Sequence, residues 1–215
     1  MILNLGSGTA EITVHEKQTD GSLRELHEPT GGAWGGTKVD EAFHQMLIKI
    51  IGAKTFKTFC DNYKADHMDL LREFEFKKQA ITPGSVGKIT VKMPFSLISM
   101  YEKDSGETIA DAIKETQFKD NMIWAPDKVR IEANLLKGLF QECTDGVTGC
   151  VRKLLQKPEV KCVDTFVMVG RFSESPMMQA AIKDAFPNAK IIIPADAGLA
   201  VLKGAVVFGS LRVNQ

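Results

Sequence analysis

A short apolar run at Met1, Ile2 and Leu3 leads into Gly6-Ser7-Gly8-Thr9, and residues 9–15 then alternate through Ile12 and Val14. The pattern predicts two strands joined by a glycine turn. Residues 18–22 read as a second turn, and residues 23–28 return as the third strand of a meander. Residues 31–36 (GGAWGG) are too rich in glycine for either regular structure. Val39, Phe43, Leu47 and Ile50 then recur at three- and four-residue spacing, which predicts a helix over 39–51. A second helix is expected over 54–63. A third is expected to start near Asp66, as N-cap, and to run to about Ile81, where Pro83-Gly84 ends it.

Residues 88–93 alternate as a strand, and Pro94 opens a polar, mixed region reaching Trp124. A short strand is predicted at 129–131, followed by helices over 134–143 and 146–156. The uniformly apolar 166–169 reads as a strand buried on both faces. After a loop at 170–174, Ser175 as N-cap and Pro176 at the first helical position start a helix that ends near Phe186. Residues 191–193 read as a second buried strand, and 197–208 as a helix apolar on nearly every side, a pattern that predicts an interior position. Three strands in a meander followed by two strand–helix units define an α/β fold: a mixed β-sheet with flanking helices. Residues 1–37 and 125–215 carry that sheet, and 38–124 form an inserted, mostly helical subdomain with a short strand region.

Composition narrows the function. The 215 residues are 44% hydrophobic and 25% charged, with Lys+Arg and Asp+Glu both 27. A neutral chain gives no electrostatic reason to bind nucleic acid or an anionic membrane. Its longest apolar stretch, 197–209, is interrupted by Lys203 and too short to cross a bilayer. Met1 is followed by uncharged residues, so no secretory signal is expected. Cys60, Cys143, Cys150 and Cys162 form no Cys-x-x-Cys pair, and free thiols of a cytoplasmic protein are expected. His15, His27, His44 and His67 are scattered, and no metal site built from protein ligands is predicted.

The opening turn admits two readings. It closes a plain hairpin, or it aims consecutive backbone N–H groups into a concavity that suits an anion. Four further stretches bear on the choice: GGAWGGTKVDEAF at 31–43, LLREFEFKKQAI at 70–81, VGRFSESP at 169–176 and IIPADAGLAVLKGAVVFG at 192–209. With NLGSGTAEITVHE at 4–16, they resemble, in order and spacing, the 70-kDa heat shock protein family of the actin-like ATPase superfamily, and most closely its divergent heat shock 70 kDa protein 12 branch. The resemblance implies a ribonuclease H-like lobe, the second of the two that close on ATP or ADP with Mg²⁺. The Asp-x-Gly-Thr-Thr loop and the lysine of the first lobe do not occur in these residues, so the chain alone is not expected to hydrolyse ATP.

By that resemblance Gly6, Ser7, Gly8 and Thr9 form the second phosphate loop, and Gly35 and Gly36 lie beside the phosphates. Gly31 and Gly32 are equally well read as a flexible connector. Glu75, Lys78 and Thr82 lie at three- and four-residue spacing on one helical stripe that Leu71 continues. Read from the residues alone, Glu75 and Lys78 are an exposed ion pair worth about 0.2–0.5 kcal/mol. The resemblance makes all three polar contacts of ribose and adenine. Gly170 matches the first of two glycines against the nucleoside, Arg171 replaces the second, and Ser173 either bonds a ribose or phosphate oxygen or caps the next helix with Ser175.

Several positions depart from the family pattern. Asn4 and Glu11 each stand where aspartate is usual, and Glu174 where an arginine usually faces adenine, although an acidic residue there suits the divergent branch. The loop at Asp196 and Gly198 is a few residues longer. Leu199, Val201, Leu202 and Val206 are read as core, and Trp34 and Trp124 as packing residues. The function implied is nucleotide binding in a chaperone-like or regulatory ATPase, with the first lobe of the same domain or a protein partner completing it. The alternative is a nucleotide-independent interaction module that keeps the fold. A peptide-holding chaperone has little support.

Overall fold

The structure, a computed structural model, describes residues 1–213. In chain order it runs β1 (Ile2–Leu5), β2 (Ala10–Lys17), β3 (Leu23–Gly32), α1 (Gly36–Ile51), α2 (Ala53–Asn62) and α3 (Lys64–Ala80). Then come β4 (Lys88–Lys92), α4 (Phe95–Ser105), α5 (Ile109–Lys114), β5 (Met122–Ala125), β6 (Lys128–Glu132) and α6 (Ala133–Gly138). The last part is α7 (Gln141–Leu155), β7 (Thr165–Val169), α8 (Pro176–Ala185), β8 (Lys190–Ile192) and α9 (Ala200–Val213). The chain divides into two compact units, residues 1–38 with 140 onward, and Val39–Leu139.

The first unit is organised by a five-stranded mixed sheet in the order β3-β2-β1-β7-β8. β1, β2 and β3 pair antiparallel, as the meander requires, while β1, β7 and β8 run parallel. Leu3, Leu5, Ile12, Phe166 and Met168 are buried at alternate positions and form the sheet's contribution to the core. α7 buries Cys143, Val147, Val151 and Leu154, a stripe at helical spacing. The second unit has a three-stranded antiparallel sheet, β4-β6-β5, with Val129 and Ile131 of the central strand buried. β6 pairs on both sides inside this sheet, so the unit boundary falls after Leu139 rather than near residue 125. Its helices pack through aromatic rings; Phe43 stacks on Phe74 at 3.9 Å between centroids.

The structure departs from the sequence reading at particular elements. Gly31 and Gly32 are strand, not connector: they pair with Glu11 and Ala10, and a Cβ on Gly31 would fall 2.0 Å from the Ala10 carbonyl oxygen. α3 starts at Lys64, so Asp66 lies in its first turn instead of capping it. The region after Pro94 holds α4, α5 and β5; Thr108 caps α5 by accepting from the Asp111 N–H, a box visible as Thr-x-x-Asp. The break expected between residues 143 and 146 sits instead at Leu139-Phe140, and Gly146 is inside α7, where the Trp34 ring occupies the place of a side chain. Residues 171–174 form a 3₁₀ turn. Ser175 precedes α8 as expected but makes no side-chain cap bond.

The last two elements reverse expectations of burial. β8 is an edge strand with only Ile191 partly covered. α9 is exposed along residues 201–210, and Leu199, Val201, Leu202 and Val206 are 52–63% exposed rather than core. Over residues 201–210 the apolar side chains are spread round the helix and exposed. An uncovered apolar surface of this kind promotes self-association. Replacing Val206 and Val207 together by Lys is expected to leave the thermal midpoint unchanged, since exposed substitutions alter stability by about 0.5 kcal/mol or less. The same variant should lower the association measured by light scattering, whereas a fall in the midpoint would show that the two side chains are packed.

Candidate functional site

In the first unit the candidate residues gather at the carboxyl ends of two parallel strands. Because β1 and β7 are paired in parallel, the loops that follow them, 6–9 and 170–174, emerge at the same edge of the sheet. In open α/β sheets that edge is where ligands bind. The turn after β1 is closed by the Gly6 N–H donating to the Thr9 carbonyl at 2.9 Å. Ser7, Gly8 and Thr9 are exposed, and among the described residues their backbone N–H groups have no hydrogen-bond acceptor. Successive free N–H donors on a turn are the element from which anion sites are built.

The turn is braced from behind. The Gly36 N–H donates to the Gly6 carbonyl at 3.2 Å, and the Thr37 N–H to the Ser7 carbonyl at 2.7 Å. Gly35 and Gly36 are buried, and a Cβ on Gly35 would fall 2.4 Å from the Ser7 carbonyl oxygen. The Cys143 thiol donates to the Gly35 carbonyl at 3.4 Å, and Lys38 lies 3.9 Å from Glu142, tying this segment to α7. The two glycines thus hold the turn's carbonyl side. Beside the turn, Thr9, Glu11, Thr30 and Gly32 line a cleft of about 280 Å³.

Gly170 has φ +85°, and a Cβ there would meet the Leu5 carbonyl oxygen at 2.4 Å and Asn4 Oδ1 at 2.8 Å. Its N–H donates to the Ala197 carbonyl at 2.8 Å. Arg171, the next residue, is exposed. Ser173 is fully buried, and its hydroxyl donates to the Gly170 carbonyl at 2.6 Å, so it fixes the loop from inside. Glu174 Oε1 accepts from the Gly198 N–H at 3.0 Å, and Asp196 pairs with Lys203. Gly6 to Thr9, Gly35, Gly36 and Gly170 to Ser173 therefore form one cluster, in which Ser7, Gly8, Thr9 and Arg171 face solvent. No group of three or more His, Cys, Asp or Glu able to hold a metal occurs among the described residues.

Glu75, Lys78 and Thr82 belong to the second unit. Lys78 is 7% exposed, and its ammonium pairs with Glu75 Oε2 at 2.5 Å and Asp40 Oδ1 at 2.7 Å. This is a buried cation held by two carboxylates, not the exposed pair that the spacing alone suggests. Glu75 Oε1 also accepts from Gln79 at 2.7 Å. Thr82 lies past the end of α3, where its N–H donates to Ser85 Oγ at 3.0 Å.

The sequence itself has known relatives. Over 212 residues, 97% of the chain, it is 35% identical to heat shock 70 kDa protein 12A of Mus musculus and of Homo sapiens, and 33% identical to heat shock 70 kDa protein 12B of Homo sapiens. The chain is a homologue of the heat shock 70 kDa protein 12 branch. It spans 31% of the length of these relatives. No protein-family model matches it. The mixed five-stranded sheet with flanking helices fits one lobe of the actin-like ATPase fold, the fold that kinship with 70-kDa heat shock proteins implies.

The heat shock 70 kDa resemblance pointed to the turn and to Gly35-Gly36 beside it, but not to Cys143 behind them. Cys143 lies 108 residues from Gly35, and nothing local marks the pair. Asp40 was also missed, although a signal existed. Once Phe43 and Phe74 face each other, antiparallel helices bring residue 40, one turn back, opposite residue 78, one turn on.

Gly170 supplies a direct check on the loop geometry. Gly170→Ala forces a side chain into a left-handed backbone position and against the Leu5 carbonyl. It should destabilise the protein by about 2 kcal/mol or more in urea unfolding followed by circular dichroism. A loss near zero would mean that β1 and this loop are not in contact.

Proposed function

We propose that the turn Gly6-Ser7-Gly8-Thr9 binds the phosphates of ATP or ADP, accompanied by Mg²⁺, and that the chain is the nucleotide-binding lobe of an atypical 70-kDa heat shock protein. The observation that carries this reading is the set of three unpaired backbone N–H groups at Ser7, Gly8 and Thr9, held open by the buried Gly35-Gly36 segment. Backbone donors already fixed in place lose little freedom when an anion arrives. The Thr9 hydroxyl adds a further donor.

Magnesium enters with the nucleotide's phosphates. Asn4, at the end of β1, offers an amide oxygen to a metal-bound water but neither a charge nor a base. Arg171, exposed beside the buried loop, is suited to a negatively charged or planar ligand, because guanidinium both pairs with phosphate and stacks on a base. Glu75, Lys78 and Thr82 are the nucleoside contacts in this proposal, on the strength of kinship alone. A first lobe of the same domain, or a protein partner, would complete the closure that reports nucleotide state. The proposal is one of binding, and no residue of this chain is given a catalytic role.

The test is an amide NMR titration of the chain with pyrophosphate and, separately, with ADP and Mg²⁺. The Ser7, Gly8 and Thr9 amides should shift saturably with both ligands. Gly8→Val places its side chain in open space, so the fold should be retained. It should weaken the response by about tenfold or more, ~1.4 kcal/mol. Glu75→Ala should weaken ADP binding and leave pyrophosphate binding unchanged. Absence of any turn response to either ligand at millimolar concentration would overturn the reading and leave a nucleotide-independent interaction module.

A further inference from the structure

The second unit contains two histidines that the nucleotide reading does not use. His44 on α1 and His67 on α3 face each other with ring centroids 5.7 Å apart and planes inclined by 47°. Phe56 of α2 lies 5.2 Å from the His44 ring and 6.2 Å from that of His67, and Phe59 meets His67 edge-on at 6.0 Å. The Nε2 atoms of both histidines are buried and have no hydrogen-bond partner. Two unpaired ring nitrogens side by side in an aromatic wall are a costly arrangement for a simple packing role.

The charges around the pair are unequally distributed. α1 presents Asp40 and Glu41, one turn before His44, and both favour its protonated form. α2 presents aromatic rings, with its charged Lys57 and Asp61 paired to each other and exposed. α3 presents His67 and, next to it, Asp66, which accepts from Ser96 Oγ of α4. Of these groups Asp40 has a second commitment: its Oδ1 accepts from the buried Lys78 ammonium at 2.7 Å.

We propose that His44 and His67 form a proton-operated latch, in which protonation of His44 draws Asp40 away from Lys78 and loosens the packing of α1 on α3. Neutral His44 leaves Asp40 with Lys78, and Phe43 stays stacked on Phe74 one turn away. A proton on His44 places a cation beside the second imidazole and against the phenylalanine rings, with Asp40 the acceptor one helical turn away. Lys78 then keeps its pairing with Glu75 but loses that with Asp40. The device operates whether or not the turn in the first unit binds phosphate.

The sign follows from the surroundings. Burial, then the like charge of His67, holds the His44 imidazole below its ordinary value of 6.5, against the opposing pull of Asp40 and Glu41. The unfolded chain therefore binds a proton at His44 more readily than the folded one. The contribution of neutral His44 to stability is complete above about pH 6.5 and declines as the pH falls through and below that value.

The full chain, isotopically labelled, is titrated from about pH 8 to pH 5, the span in which imidazoles change charge. The resonances followed are the His44 Cε1–H and the Lys78 ammonium. His44 should titrate below the ordinary imidazole midpoint, and the Lys78 signal should move with the same midpoint. Asp40→Asn should lower the His44 midpoint, and His67→Gln should raise it. Should His67→Gln fail to fold, the isosteric Asp40→Asn and the Lys78 signal decide the matter. An ordinary His44 midpoint indifferent to Asp40→Asn, or a Lys78 signal that stays still while His44 titrates, would overturn the latch.

Discussion

The candidate ligand contacts of the first unit depend on the parallel pairing of Ile2, Leu3 and Asn4 with Val167, Met168 and Val169. A slip of one residue would turn Leu3 and Leu5 out of the core and carry the loops after both strands out of register. The pairing is reinforced at its start, where the Met1 amino group donates to the Thr165 carbonyl at 2.9 Å and the Val167 N–H donates to the Met1 carbonyl at 2.9 Å. At its far end it brings Gly170 against the Leu5 carbonyl, an approach that no side chain permits. One short strand thus fixes both where the opening turn stands and which backbone faces it.

The turn gains its rigidity from residues that a ligand would never touch. Gly35 lies so close to Ser7 and Gly8 that the two backbones move together. Trp34, next to it, covers both Gly32 of β3 and Gly146 of α7, locking the segment between sheet and helix. The turn and its brace are closed by internal hydrogen bonds from Gly6 to Thr9, Gly36 to Gly6, Thr37 to Ser7 and Cys143 to Gly35, while the N–H groups at Ser7, Gly8 and Thr9 are left facing solvent. A hairpin serving only to reverse the chain has no need of a buried second segment behind it.

What the sequence revealed and what it concealed divide along physical lines. Alternation and helical spacing are local, and they located β1, β2, α1, β4, β6 and β7 to within a few residues. The glycines were ambiguous because their meaning lies in what touches them. Gly31 is a strand residue because β2 crosses it, and Gly146 is a helix residue because Trp34 sits where its side chain would be. α9 shows the opposite limit: hydrophobicity on every side states that a helix requires cover, but not that the described residues supply it. In the candidate site, the glycine turn was legible from the sequence pattern and the Glu75–Lys78 stripe from spacing, while the phosphate role of the turn rested on the resemblance. The roles of Asp40, Cys143 and Ser173 were not, since each depends on a contact between segments distant in sequence or on burial set by the whole fold.

The Lys78 cluster presents a different electrostatic problem from the turn. Its cation is almost completely removed from water, yet the side chains of Asp40 and Glu75 remain 24% and 38% exposed. Burying an ammonium costs several kcal/mol unless it is well paired, so a single carboxylate would suffice only with ideal geometry. A second carboxylate makes the pairing of the cation redundant. Glu75 lies three residues before Lys78 on the same helix. Asp40 comes from α1, one turn from an imidazole whose Nε2 has no hydrogen-bond partner. Of the two carboxylates it is therefore Asp40 that links the charge on Lys78 to the packing between helices.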